Sequence, residues 1–150
     1  MSGISELIEK ARNRVASQHL PYVGALLPAE AYDLLQQVPA ARLVDVRTRA
    51  EWRYVGRIPG AVEIEWQTYP EGRPNPDFMR ELEAQIDKEA PVMFICRSGA
   101  RSHSAAVAAA AAGYSQAFNV LEGFEGDKDS HGHRNSIGGW RIAGLPWTQG

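Results

Sequence analysis

The chain holds one cysteine, Cys96, and its neighbours are of the types that favour a reactive thiolate. It ends the apolar run Pro91-Val92-Met93-Phe94-Ile95 and opens the segment Arg97-Ser98-Gly99-Ala100-Arg101. The run is short, with β-branched and aromatic members, and predicts a buried parallel strand. The alanine-rich stretch from Ser102 to Ala112 predicts a helix of high intrinsic propensity, stopped at Gly113. A thiol at that junction faces a helix N-terminus, where unpaired N–H groups converge and the dipole favours negative charge. Such surroundings favour the thiolate, which is the nucleophilic form. A lone cysteine after an apolar run is more commonly an inert small hydrophobe. Arg97 and Arg101 tip the balance, being poor company for hydrocarbon and good company for an anion.

The segment between strand and helix is built to wrap an anionic sulfur. Backbone N–H groups from Arg97 to Ser102 can converge on it. Gly99 allows a tight curl because it tolerates positive φ. Arg97 and Arg101 supply positive charge for an anionic substrate, and a guanidinium matches an oxyanion bidentately. Ser98 or Ser102 is placed to hydrogen-bond the sulfur, and Ser102 is equally placed to cap the helix, the role its position favours.

These residues need a scaffold that brings them to one edge. Apolar residues at helical spacing from Ser5 to Ser17 predict an amphipathic N-terminal helix, serving as core cover rather than partner docking. A short strand is expected at Gly24 to Leu27, followed by a helix from Pro28 to Gln37 with proline at its start. Leu43-Val44-Asp45-Val46-Arg47 predicts a buried strand whose end carries charge. Thr48 caps a short helix from Arg49 to Val55, with Glu51 completing a capping box. Further elements are a strand at Ala61 to Ile64, a helix from Asp77 to Lys88 and a last strand at Ala117 to Leu121. Strands alternating with helices imply an α/β fold with a parallel sheet covered on both faces. Ligands bind beyond the carboxyl ends of such strands, where Asp45, Arg47 and Cys96 all fall. The segment after Glu122 is glycine-rich and polar, and reads as a surface excursion closed by Trp140 and Trp147.

Composition narrows the function class. The 150 residues are 44% hydrophobic and 23% charged, ordinary for one globular domain. A net charge of −2 offers no basic footprint for nucleic acid, and no apolar stretch approaches the ~20 residues of a membrane span. One cysteine excludes an intramolecular disulfide or a multi-cysteine zinc site. The start of the chain lacks a signal-peptide pattern, so a cytoplasmic location is the default expectation. His131 and His133 lack a third ligand nearby, and no metal is expected; His19 and His103 read as structural.

Three segments together resemble the rhodanese (thiosulfate sulfurtransferase) family. The first is Leu43-Val44-Asp45-Val46-Arg47 with Glu51-Trp52 and Gly56-Arg57-Ile58-Pro59-Gly60-Ala61. The second is Cys96-Arg97-Ser98-Gly99-Ala100-Arg101-Ser102, which resembles the family's active-site loop. The third is Gly139-Trp140 with Ala143-Gly144-Leu145-Pro146. The resemblance implies a three-layer fold with a five-stranded, mainly parallel sheet. It divides the chain into an N-terminal helical extension (1–20) and a domain (21–150) with an inserted loop at about 125–139. It implies that Cys96 takes a sulfane sulfur from a small anionic donor such as thiosulfate. A thiol, a protein sulfur acceptor or cyanide then discharges the persulfide, and no cofactor is implied. Asp45 and Arg47 are expected to hold the loop by hydrogen bonds. Arg57 stands where the family usually has histidine, which removes a titrating group from that position.

Two other readings follow from the same residues. One is a phosphatase or arsenate reductase on this fold. Those relatives have five residues between the cysteine and the loop arginine, whereas four separate Cys96 from Arg101, a ring suited to a single sulfur atom. The other is a non-enzymatic sulfur relay or redox module, since an exposed reactive thiol is readily oxidised.

Overall fold

The computed structural model describes residues 2–149. Along the chain run α1 (Ser2–Ala16), β1 (Gly24–Leu26), α2 (Pro28–Gln37), β2 (Arg42–Asp45), α3 (Arg49–Tyr54), β3 (Val62–Glu63), α4 (Phe78–Gln85), β4 (Val92–Ile95), α5 (Ala100–Ala111) and β5 (Ala117–Val120). The five strands form one sheet in the order β1-β5-β4-β2-β3, and every pairing is parallel. This is the α/β architecture implied by the alternation of strands and helices. No helix among the described residues is long and apolar enough to cross a membrane.

The period of two along the strands sorts side chains into two apolar layers. Val92 and Phe94, with Cys96 next in phase, face Phe78, Leu82 and Ile86 of the α4 region and Ala105, Ala106 and Ala109 of α5. Met93 and Ile95 face the other way, towards Ala31 and Leu34 of α2 and Ala11 of α1. The small alanine faces of α5 let the helix lie close on β4 and β5. The N-terminal helix is packed rather than free: Arg14 donates to the Ala25 carbonyl and pairs bidentately with Glu30.

Local signals set several boundaries. Pro28 begins α2 where its missing N–H costs no bond. Thr48 accepts from the Glu51 N–H, and Glu51 reaches back to the Thr48 N–H, closing the capping box on α3. One boundary differs from expectation. Helix α5 starts at Ala100, not Ser102, and its cap position is Gly99 at φ +113°. Glycine alone takes that turn without steric strain, so the chain enters the helix two residues early.

The segment after β5 is folded against the sheet. The Phe124 N–H donates to the Cys96 carbonyl (2.8 Å), and the Glu125 and Gly126 N–H groups donate to that of Arg97 (3.0 and 3.2 Å). Trp140 is buried, with its backbone N–H on the Gly123 carbonyl and its indole N–H on that of Pro146 (2.8 Å each). The expected aromatic anchor is thus present, and the outer part of the excursion turns around Asp129, which accepts the N–H groups of His131 and His133.

Truncating this anchor tests the packing. Trp140→Ala is expected to lower unfolding free energy by about 3–5 kcal/mol. Ile137→Ala, at a 65% exposed position of the same segment, is expected to stay within about 0.5 kcal/mol. Chemical denaturation of both variants measures the difference.

Candidate active site

The Cys96 side chain ends the apolar column of β4 and is almost fully buried (1% exposed). Its polar contacts come from the turn into α5. The Gly99 N–H donates to Sγ (3.1 Å), and the Ser102 hydroxyl lies 3.3 Å from it. Behind Gly99, the first turn of α5 leaves the N–H groups of Ala100, Arg101 and Ser102 without intrahelical partners. The sulfur therefore sits at a helix N-terminus inside a turn of four residues, as its sequence position suggests.

Ser102 corrects one expectation. It is the third residue of α5 and caps nothing. Its hydroxyl points back under the loop, between Sγ and Asn119 Oδ1 (2.6 Å). Ser98 makes no hydrogen bond with the sulfur among the described residues. Ala100 is exposed at the start of the helix.

The two loop arginines part company. Arg97 is exposed and in no ion pair among the described residues. Arg101 is held in a bidentate pair with Glu51 (2.7 and 2.9 Å), which ties α5 to α3. Burial opposes the Arg101 charge, but Glu51 and the field of Cys96 outweigh it and hold the guanidinium above its ordinary value. Burial likewise opposes ionisation of Glu51, and Arg101 with the Thr48 N–H more than reverses this. The carboxyl is held below its usual range. Arg97, Arg101, Glu51 and Glu125 line a cleft of about 450 Å³. Thr48, Gln67, Thr68 and the 69% exposed ring of Tyr69 complete its rim. A second cavity of about 450 Å³ lies on the opposite flank of the loop, where Gly99 and Asn119 meet Tyr22 and His103. The Tyr22 hydroxyl is bonded to His103 Nδ1 at 2.8 Å.

Asp45 and Arg47 form a fully buried pair with three side-chain bonds of 2.7–3.2 Å. The remaining Arg47 bond goes to the Gly56 carbonyl (2.8 Å), and its guanidinium lies 4.1 Å over the Phe124 ring. No hydrogen bond among the described residues joins either residue to the 97–102 segment, contrary to the expectation of direct support. The reason is reach: Phe124 stands between, touching Arg47 with its ring and the Cys96 carbonyl with its N–H. Arg57 is half-exposed and pairs with Glu63 (2.7 Å).

Sequence reasoning missed Glu51 as the partner of Arg101, because the capping box already accounted for its type. It also missed Asn119. The signal for Asn119 was present: one amide in the otherwise apolar run Ala117 to Leu121.

A model of the rhodanese-like domain matches residues 27–130. The chain is 47% identical to the M. tuberculosis protein Rv0390, whose crystal structure superposes with a TM-score of 0.79, covering 86% of this chain and 99% of that one. An uncharacterized protein of Rickettsia rickettsii is 38% identical over 127 residues, 83% of this chain and 97% of the relative. The thiosulfate sulfurtransferase GlpE of Actinobacillus succinogenes is 31% identical over 121 residues, 81% of this chain and 86% of that protein.

The Glu51–Arg101 pair makes stability depend on acid. A carboxyl whose folded value lies below its ordinary value of 4.5 contributes stability above that value and loses it as pH falls through the folded one. Glu51→Gln is expected to cost about 1–3 kcal/mol at neutral pH. It is also expected to flatten the loss of stability on acidification. Urea denaturation at neutral and at acidic pH measures both.

Proposed function

The chain belongs to the rhodanese-like domain family, and from that premise we propose that it is a sulfurtransferase acting through a persulfide on Cys96. The observation that carries this reading is the buried single thiol held by the Gly99 N–H and the Ser102 hydroxyl at the N-terminus of α5. Its likeness to a thiosulfate sulfurtransferase supports the same reading. On this reading the domain is the segment 21–150, and the segment 1–20, which carries α1, is an extension of it.

The chemistry is two displacements at sulfur. The Cys96 thiolate attacks the outer sulfur of a donor such as thiosulfate. The S–S bond of the donor breaks, sulfite leaves with the electron pair, and Cys96 becomes a persulfide anion. An acceptor thiolate then attacks the outer sulfur, takes it as its own persulfide, and returns Cys96 as thiolate. The Gly99 N–H donates to Sγ, and the N–H groups of Ala100, Arg101 and Ser102, free of intrahelical partners in the first turn of α5, are the donors available to the outer sulfur and its charge, an arrangement that stabilises a developing anion. Arg97, in no ion pair among the described residues, lies on the cleft lining and draws the anionic donor in; Arg101, tied to Glu51, keeps the loop in shape while adding field. Asp45 and Arg47 support the loop through Phe124. The short ring of four residues between Cys96 and Arg101 suits one sulfur atom better than a tetrahedral oxyanion.

Thiosulfate treatment is expected to add the mass of one sulfur atom to the protein, and a thiol acceptor to remove it. Intact-protein mass spectrometry reads both steps. Cys96→Ser is expected to gain nothing. A wild-type protein that stays unmodified with thiosulfate, polysulfide and other sulfane donors contradicts the proposal. Arg97→Ala is expected to slow loading by roughly tenfold at low salt, with less effect at high salt.

A further inference from the structure

Most carboxylates near the loop have partners within the protein. Glu51 is paired with Arg101, and Asp45 with Arg47. Glu65 accepts the Arg49 N–H, and Glu122 accepts the Gly139 N–H. Glu125 uses only its backbone: its N–H donates to the Arg97 carbonyl (3.0 Å), and its own carbonyl accepts from Asn135 (2.7 Å). No hydrogen bond or ion pair among the described residues engages its half-buried carboxylate. The backbone bond sets Glu125 beside Arg97, whose guanidinium is likewise in no ion pair among the described residues, and both line the cleft of about 450 Å³. Two neighbours of opposite charge thus line one cavity without closing on each other. Glu51 and Arg101 cancel, and the rest of the lining is uncharged. An anionic donor has a use for Arg97 and none for Glu125. The volume is that of a small-molecule site.

We propose that Glu125 determines which acceptor discharges the persulfide: with Arg97 it selects a small thiol that carries both an ammonium and a carboxylate, an amino-acid thiol of the cysteine class, over thiols that carry a carboxylate alone. This rests on the persulfide reading of Cys96. The Arg97 guanidinium takes the acceptor carboxylate, and the Glu125 carboxylate takes its ammonium. The acceptor thiol gives its proton to solvent, and its thiolate attacks the outer sulfur. The S–S bond of the Cys96 persulfide breaks, the electron pair returns to Sγ, and the acceptor leaves as its own persulfide with both charged groups unchanged. Arg97 serves the two half-reactions in turn, the donor first and the acceptor once sulfite has left. Glu125 is attractive only in the second.

The test compares discharge rates of thiosulfate-loaded protein, freed of donor, by intact-protein mass spectrometry. The acceptors are cysteine, cysteamine (ammonium alone) and 3-mercaptopropionate (carboxylate alone). Each variant's rate is divided by the wild-type rate with the same thiol, so the intrinsic reactivity of the thiol cancels. Glu125→Gln is expected to lower the cysteine and cysteamine ratios roughly fivefold relative to that of mercaptopropionate. Glu125→Lys is expected to widen the gap, and it carries the test should the glutamine variant lose its thermal transition. Equal changes for all three thiols, or a larger loss with mercaptopropionate, overturn the proposal. A wild-type protein that takes sulfur from no donor contradicts the sulfurtransferase reading instead, and the cleft is then read by binding. S-methylcysteine, which has no thiol, is titrated into unloaded wild-type protein and followed by NMR. Its affinity is expected to fall roughly fivefold in Glu125→Gln. Absence of binding, or equal affinity in the two proteins, overturns the proposal.

Discussion

Three backbone hydrogen bonds join the exit of β4 to the start of the C-terminal segment: Phe124 to the Cys96 carbonyl, and Glu125 and Gly126 to that of Arg97. They fix where the strand stops and the loop begins. The junction is so tight that a Cβ on Gly123, at φ +66°, would sit 2.5 Å from the Cys96 oxygen. With the carbonyls of Cys96 and Arg97 engaged on that side, the turn through Gly99 presents its own N–H to the sulfur. The rest of the site follows from this constraint.

The supports around the loop divide the work by type of interaction. On one flank, Glu51 grips Arg101 across two helices, an ion pair only partly shielded from water. Below, the Asp45–Arg47 pair is fully buried, and burying such a pair brings little net stability of its own. Its value is geometric: breaking it would leave a charge in the core, so the end of β2 has one arrangement. The Phe124 ring stacked on Arg47 transmits that arrangement to the loop, and Arg141 lies 4.0 Å over Trp147 on the outer side of the same aromatic cluster. The polar network of Ser102 and Asn119 completes the floor. Cys96 is thereby deeply buried and yet takes the Gly99 N–H and lies beside the Ser102 hydroxyl, a combination that an apolar core position would not provide.

Much of this was legible in the sequence, for reasons that can be named. The apolar residues Leu43, Val44 and Val46 around Asp45 and the run Val92 to Ile95 are too short for helices and too apolar for exposed strands, so the sheet is readable from them. The capping box at Thr48 and Glu51 and the proline at the start of α2 are local signals, and local structure obeys them. What escaped depends on contacts between distant residues. Glu51 meets Arg101 fifty positions away, and Asn119 meets Ser102 only because β5 lies beside β4. Ser102 was misassigned because serine at a helix start usually caps it, while Gly99 moved the start upstream. The contact between Arg47 and the start of the loop runs through Phe124, a residue with no chemical signal of its own.

The central claim is that this loop is a cradle for one extra sulfur atom on Cys96. A crystal structure of the protein after thiosulfate treatment tests it most directly. The account predicts density for a second sulfur bonded to Sγ, within about 3.5 Å of the N–H groups of Ala100, Arg101 and Ser102. A bare Sγ in a protein fully exposed to donor, or a bound sulfur pointing away from those groups, would contradict it.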